Sequence, residues 1–270
     1  MILLNFDIEE FDVPMEFGKE ISFEEQVLVS KNGTSIILDI LNEYKIKATF
    51  FCTVAFAQNA SDIIGRIVRE GHEVASHGYS HSAFKKEDLR ISKEALEVMT
   101  GMPVKGFRMA RMRYIESLDV HLAGYSYNSS INPTYLPGRY NYYRKPRTYF
   151  VENDVVQIPA SVTPFCRIPL FWLSFRNMPF RLYMWLTKVT LRNDKYINIY
   201  FHPWEFMDLS DEKYGMPWYI VNNSGNKMAD RFKAYLDKML EGGAEFYTFS
   251  EFIDSYTFEK HLSAGDKLNN

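Results

Sequence analysis

Short apolar runs alternate with segments of helical periodicity along most of the chain. Three early runs, residues 2–6, 48–52 and 73–76, are apolar or β-branched and are typical of buried strands. Between the first two, residues 34–44 carry Ile, Leu and Tyr side chains on one face at the i, i+4 spacing of an α-helix. Because parallel strands are joined by crossover helices, this alternation predicts βα units around a parallel sheet.

The pattern continues to the end of the chain. We predict strands at residues 2–6, 48–52, 73–76, 104–108, 125–128, 155–159, 196–201 and 245–248, and helices at residues 34–44, 62–70, 86–100, 115–123, 228–240 and 249–256. Ser61 is expected to cap the second helix and Gly71 to end it. About seven parallel strands predict an α/β fold, a distorted (β/α) barrel that is either closed or incomplete. No Pro/Ser-rich linker or internal repeat divides residues 1–270, so we expect a single domain.

The most apolar stretch, residues 169–189, has two interpretations. Arg176, Arg181 and Lys188 interrupt it and Pro179 would open or break a helix, so we expect no membrane span. One interpretation is a buried or interfacial helix. The other is a surface that meets a lipid-linked substrate, which its Arg and Trp residues favour.

Composition narrows the function classes. The formal net charge of −3 offers no basic surplus for a phosphate backbone, so we exclude nucleic acid as a partner and expect a neutral or mildly charged substrate. Aromatic residues, 16% of the chain, are either stacking surfaces for sugars or ordinary core. Cys52 lies in an apolar run and predicts no disulfide. The first residues lack a basic segment and a long apolar stretch, so we expect a cytoplasmic location; the oligomeric state is left open.

Titratable residues cluster where the predicted strands end. Asp7, Glu9 and Glu10 follow the first strand, His77 and His81 follow the third, Arg108 ends the fourth and His202 ends the strand at 196–201. In a parallel barrel these ends share one rim, on which barrel active sites are built. We therefore expect carboxylates, imidazoles and a guanidinium to converge there.

This set of groups matches metal-dependent hydrolysis of an amide or ester. Two neutral imidazoles and one carboxylate leave open positions on a divalent metal, and His77 and His81 can face the same way on a single turn. A carboxylate can take a proton from water, and His202 is suited to donate one to the leaving nitrogen because its ordinary pKa lies near neutrality. The alternative interpretation of His202 is a core histidine that ends a strand before Pro203.

Four segments resemble the motifs of the polysaccharide deacetylase family, carbohydrate esterase family four, and a fifth, KATFF, resembles the strand that precedes the second motif. They are NFDIEEFD at 5–12, KATFF at 47–51, EGHEVASHGYSH at 70–81, GFRMAR at 106–111 and YFHPWEF at 200–206, in the family's order. The resemblance implies a catalytic (β/α) barrel that removes acetyl groups from N-acetylated amino sugars of a polysaccharide, oligosaccharide or lipid-linked glycan precursor. It also implies one divalent metal ion, usually zinc.

Matched residue by residue, the resemblance assigns the following roles. Asp7 would be the general base, Arg108 the partner that orients it and His202 the general acid. The metal ligands would be Glu9, His77 and His81. Ile8 stands where the family has a second, metal-binding aspartate, and a subgroup with a Phe-Asp-Val-Glu-Asp type of first motif suggests that Glu9 takes over. Alternation along an extended chain puts Asp7 and Glu9 on one side.

Two further departures keep a second function open. Ala110 replaces the proline of the third motif, and Asn128 replaces an aspartate in the segment at 127–130. A barrel that binds glycan or metal without turnover is therefore the alternative function. Trp204, Tyr127 and Arg111 are expected to contact substrate. Arg111 either binds an acidic sugar or phosphate or is a solvated surface cation.

Overall fold

The computed structural model describes residues 1–255, and the strands and helices alternate as the sequence predicts. The strands are β1 (Ile2–Ile8), β2 (Thr49–Cys52), β3 (Glu73–Ser76), β4 (Gly106–Phe107), β5 (Tyr127–Asn128), β6 (Tyr135–Leu136), β7 (Tyr140–Asn141), β8 (Phe150–Glu152), β9 (Val155–Gln157), β10 (Ile197–Phe201) and β11 (Phe246–Tyr247). The α-helices are α1 (Phe23–Tyr44), α2 (Val54–Asn59), α3 (Ser61–Arg69), α4 (Asp88–Thr100), α5 (Ser117–Leu122), α6 (Trp172–Asn177), α7 (Phe180–Asp194), α8 (Trp218–Val221) and α9 (Asn226–Glu241). Residues 249–255 are also helical, and Tyr256, the predicted end of that helix, lies outside the described residues.

The main sheet is curled and mostly parallel, as an incomplete (β/α) barrel requires. Within residues 1–255 its order is β10-β1-β2-β3-β4-β5-β9-β8, with β11 beside the start of β1. All neighbours pair in parallel except β8 and β9. Beyond β9, Ser161 reaches β10 by donating its main-chain N–H to the Asn198 carbonyl, at 2.9 Å. The predicted fold class is confirmed.

Strand β1 positions the two distant parts of the chain that carry candidate chemistry. Its side chains are all buried, and it pairs with β10 on one side and β2 on the other. Phe6 lies opposite Phe201, so the residues that follow β1 emerge beside His202. The Asn5 side chain ties the same two strands by donating to the Ile199 carbonyl at 2.8 Å.

The helix predictions were wrong at the start of α1 and at the cap of α3, and they omitted α2 and α8. Helix α1 begins at Phe23 rather than Thr34, and the Ser22 hydroxyl caps it by accepting from the Glu25 N–H. Its first turns, residues 23–33, mix polar side chains and a glycine with Val and Leu, which obscured the apolar period. Helix α2 was not predicted, although Thr53 caps it in the same way. Ser61 lies inside α3 and does not cap it.

The apolar stretch at 169–189 forms two helices rather than one. Pro179 precedes the first residue of α7, where its fixed φ is compatible with a helix start, and it separates α7 from α6. No helix in the described part of the chain combines the length and apolarity needed to cross a bilayer.

A glycine allows α1 to support the turn that follows His202. A Cβ atom on Gly33 would lie 2.0 Å from the Pro203 carbonyl oxygen, so only glycine permits this approach. The turn, a 3₁₀ helix over Pro203–Phe206, is itself buried. Helix α1 therefore fixes the backbone from which one candidate catalytic residue projects.

His72 is expected to make folding stability fall in acid. Burial lowers its pKa to about 4, and its Nδ1 accepts a hydrogen bond from the Ala48 N–H at 3.2 Å, which protonation would break. The unfolded chain binds the same proton at higher pH, near 6.5. The free energy of unfolding is therefore unaffected by protonation of His72 above about pH 6.5. It decreases as pH falls towards 4, by about 3 kcal/mol.

Urea unfolding at a series of pH values checks this expectation. The variant His72→Gln should show a shallower pH dependence of the unfolding free energy between pH 4 and 6.5. His121→Gln, which changes an exposed histidine, is the matched control and should keep the full slope. Equal slopes in wild type and His72→Gln would contradict the assignment.

Candidate active site and metal centre

One pocket lies at the carboxyl ends of β1, β3 and β10, and eight of the nine predicted site residues meet at or beside it. Its lining comprises Asp7, Glu9, Val13, Glu16, His77, His81, Arg111, Met112, Arg139, Tyr140, Trp172, Tyr200, His202, Trp204 and Ile220. Arg108 lies directly behind the lining, against Asp7. The convergence of these strand ends agrees with the rim expected for a parallel barrel.

Glu9, His77 and His81 form a compact, buried triad. Glu9 Oε2 lies 2.9 Å from His77 Nε2 and 3.1 Å from His81 Nε2. The three potential ligand atoms lie within 4.8 Å of one another. Ile8 is fully buried in the hydrophobic core, so the side-chain alternation of β1 directs Asp7 and Glu9 to the pocket.

Hydrogen bonds on the far side of both rings prepare the triad for a cation. His77 Nδ1 lies 2.9 Å from the Arg108 carbonyl oxygen, which can only accept, so this nitrogen carries the proton. His81 Nδ1 similarly faces Asp12 Oδ1 at 2.7 Å. The Nε2 lone pairs then point at Glu9 Oε2, which is buried and has no hydrogen-bond partner. With both imidazoles neutral, these converging lone pairs fit a divalent metal ion.

Asp12 supports His81 and was missed by the sequence analysis. Burial alone would raise the pKa of Asp12, but hydrogen bonds from His81 and Ser82 and the charge of Arg111 lower it to about 2. Burial would lower the pKa of His81, and the Glu9 and Asp12 carboxylates raise it instead. The clue in the sequence was the acidic density of NFDIEEFD, of which only the first carboxylates were assigned roles.

Asp7 is held as a buried carboxylate by Arg108. Arg108 Nη1 donates to Asp7 Oδ1 at 2.6 Å, and the rest of the guanidinium is fixed by Ser129 and by the face of Phe51, 4.0 Å away. Burial opposes the charge on Asp7, yet Arg108 and the neighbouring imidazoles lower its pKa. The free oxygen, Oδ2, lies 3.9 Å from His202 Nε2.

A carboxylate and two indoles orient His202. Its Nδ1 lies 3.1 Å from Glu205 Oε1, and the same oxygen accepts from the His202 main-chain N–H at 2.7 Å. The ring stacks on Trp204 with centroids 4.9 Å apart, and Trp172 meets it edge-on at 5.4 Å. Because Nδ1 is engaged, Nε2 is the nitrogen presented to the pocket.

A buried ion pair behind His202 was also missed. Arg176 Nε lies 3.3 Å from Glu205 Oε2, and both side chains are fully buried. Arg176 comes from the apolar stretch at 169–189, and the sequence predicted no role for it at the site. Glu205 lies three residues after His202, a spacing at which a carboxylate can return to the residue that begins a helical turn. Removing either partner would leave an uncompensated buried charge.

The predicted substrate contacts are only partly at the pocket. Trp204 and Arg111 line it, but the Arg111 guanidinium already binds Glu16 at 2.8 Å and Asp12 at 3.0 Å. Tyr127 does not line it. The Tyr127 ring is fully buried, and its hydroxyl donates to Glu73 Oε1 at the opposite end of the sheet, so the prediction that it contacts substrate is wrong.

The two other departures from the motif pattern do not reach the acid or the base. The Asn128 amide donates to Gln157 at 2.9 Å and its oxygen accepts from the Ser130 hydroxyl, which in turn accepts from the Met109 N–H. Asn128 thus supports the backbone after Arg108 and does not contact the acid or base side chain. After Ala110, the backbone at Arg111 is left-handed, with φ of 56°.

Two family models match consecutive parts of the chain. Residues 20–127 match Polysaccharide deacetylase, and residues 129–253 match a domain of unknown function, DUF3473. Residues 20–127 are thus similar to the polysaccharide deacetylase family. The first matched region contains His77, His81 and Arg108, the second contains His202, and Asp7 and Glu9 precede both.

Proteins named as deacetylases are among those similar to this chain. A chitooligosaccharide deacetylase of Sinorhizobium fredii is 39% identical over 67 residues, which are 24% of this chain and 30% of that protein. The chain thus spans less than a third of that relative's length. A Mycobacterium smegmatis structure assigned as a polysaccharide deacetylase matches with a TM-score of 0.63 at 18% identity, over 96% of this chain and 90% of that one.

A family-four pseudoenzyme from Bacillus anthracis has the same fold. It matches with a TM-score of 0.53 at 12% identity, over 93% of this chain and 64% of that one. At such identities these two structures are evidence for the fold alone, because one fold can carry different activities or none.

Proposed function

We propose that this protein is a member of the polysaccharide deacetylase family and a zinc-dependent hydrolase of N-acetyl groups on amino sugars. Its substrate would be a polysaccharide, an oligosaccharide or a lipid-linked glycan precursor. The observation that carries the proposal is the buried triad of Glu9, His77 and His81, whose lone pairs converge beside Asp7 and His202 in one pocket. Ligands, base and acid would thereby be in the arrangement that amide hydrolysis needs.

Glu9, His77 and His81 would hold the ion. A His₂–carboxylate set with open positions is typical of catalytic zinc. When bound, zinc supplies polarisation of the acetyl carbonyl and a more acidic water. In the neutral imidazoles, the supports of both rings, the Arg108 carbonyl and the Asp12 carboxylate, hold the proton on Nδ1 and aim Nε2 at the ion's position.

Asp7 and His202 would divide the proton transfers. Arg108 occupies one oxygen of Asp7, so Oδ2 is left to accept a proton from water. His202 presents Nε2 to the same space and would deliver its proton to the departing amine. Trp172 and Trp204 exclude water behind the imidazole and limit its rotation. Aromatic rings in the lining also suit the apolar faces of a sugar.

Acetate release from N-acetylated chitooligosaccharides and from peptidoglycan, in the presence of zinc, tests the proposal. We expect release by wild type and a loss of about 10³-fold or more in Asp7→Asn, whose amide cannot take the proton. Asp230→Asn changes an exposed carboxylate on α9 and should keep full activity. Release by Asp7→Asn at the wild-type rate would contradict the role of Asp7.

A barrel that binds glycan without turnover is the second candidate. Ile8 at the place of the family's second aspartate and Ala110 at the place of its proline favour it. Such a protein would bind N-acetylated oligosaccharide with an affinity that survives His202→Ala, and it would release no acetate from any substrate.

A further inference from the structure

Helix α7 presents a basic and aromatic face to solvent, which we call the α7 face. It consists of Arg181, Leu182, Trp185, Lys188 and Arg192, all exposed. Trp185 and Leu182 are 61% and 42% exposed, large fractions for apolar side chains. The spacing places these residues along one side of the helix, while Tyr183, Met184, Leu186, Thr187 and Thr190 bury the other side in the core. The orientation of the face is therefore fixed by packing.

The charge of the α7 face is opposite in sign to the net charge of the whole chain. The protein carries a formal net charge of −3, yet the exposed positions of α7 include three cations and no acid. In the part of the chain that the structure describes, Arg181, Lys188 and Arg192 form no ion pair. The one acidic residue of the helix, Asp194, is bound by Arg147. This side of an acidic protein is thus locally positive.

Helix α8 also exposes aromatic residues, and a hydrogen bond links it to α6, the helix before α7. Trp218 and Tyr219 are 73% and 39% exposed, and the Tyr219 carbonyl accepts from Asn177 at the end of α6. The next residue, Ile220, lines the candidate active site. Helix α8 therefore carries exposed aromatic rings at the edge of the pocket.

We propose that the α7 face docks on a lipid bilayer containing anionic lipids. Cations paired with anionic headgroups, Trp at the headgroup level and a leucine reaching the acyl boundary are the composition of interfacial helices. Each cation near an anionic bilayer contributes about 1 kcal/mol of binding. Docking would bring the pocket rim to a lipid-linked glycan, and this substrate assignment, unlike the docking itself, rests on the proposed function.

Co-sedimentation with vesicles of phosphatidylcholine, with and without phosphatidylglycerol, tests the docking. We expect binding to the anionic vesicles that weakens as salt is raised. The variant Arg181→Gln/Lys188→Gln/Arg192→Gln should bind on the order of 100-fold more weakly. Trp185→Ala should also weaken binding. Arg69→Gln/Lys86→Gln/Lys105→Gln removes three exposed cations elsewhere and should bind as wild type does.

Two results would overturn the inference. One is no binding to anionic vesicles, and the other is equal binding by the α7 triple variant and its control. Self-association that Trp185→Ala abolishes, with no vesicle binding, would assign the face to a second copy of the chain instead. Acetate release from a soluble oligosaccharide separates this inference from the proposed function. Docking can fail while soluble substrate is still deacetylated, and deacetylation can be absent while docking persists.

Discussion

Replacing His77 with alanine is expected to empty the metal centre and to stop acetate release. The wild type should hold about one zinc ion per chain after incubation with zinc, and His77→Ala about none, because one of three converging ligand atoms is lost. Glu9→Ala should behave alike. Activity should fall about 10³-fold or more, because the bound ion would stabilise the transition state by several kcal/mol. Elemental analysis and acetate release on the same samples measure both effects.

Variants at graded distances from the ion sharpen this result. Asp12→Asn keeps all three ligands and changes only the partner of His81, so we expect about 10–100-fold weaker metal binding rather than complete loss. His121→Ala, at an exposed position, is the control and should retain the ion. A wild type that stays empty with zinc, cobalt and nickel would contradict the hydrolase proposal and favour the barrel without turnover.

Replacing His202 with alanine is expected to separate the two steps of the reaction. The variant should retain its metal, because His202 is not part of the triad, and should lose about 10²–10⁴-fold in hydrolysis of an N-acetyl amide. The rate of hydrolysis of an activated aryl acetate should fall far less, because a phenolate leaves without being protonated. Parallel assays on the amide and the aryl ester measure the difference.

Glu205→Gln provides the intermediate case. Its carboxylate contacts His202 Nδ1 and the His202 main chain, so the variant should show the same preference for the aryl ester, with a smaller loss on the amide. Equal losses on both substrates would mean that Glu205 only stabilises the turn. Equal losses in His202→Ala would likewise contradict a proton-donating role for His202.

The sequence was most informative where chemistry follows a strand. The ends of β1, β3 and β10 could be located from apolar runs, and parallel strands carry their ends to one rim, so His77, His81 and His202 were placed together. The register that brings Phe6 opposite Phe201 could not be derived from the sequence. This register sets the distance of 3.9 Å between Asp7 Oδ2 and His202 Nε2.

The supporting residues were missed because their partners are distant in sequence. Asp12 reaches His81, and Arg176 reaches Glu205, only after the sheet has curled and α6 has packed. No spacing in the chain encodes such pairs. Tyr127 failed for a different reason: in a strand, successive side chains point to opposite faces, and a two-residue strand gives too little pattern to choose between them.

The pairing of β1 with both β2 and β10 has a consequence for the order of folding. The three candidate metal ligands and their supports come from residues 9 to 108, whereas His202 joins them only through strand pairing across 195 positions. Contacts of such long sequence separation form slowly, because a large loop must close first. We expect nascent or refolding chains to bind zinc before β10 pairs with β1 and brings His202, the proposed general acid, to the site. Metal uptake and catalytic competence would then report on different stages of the same folding reaction.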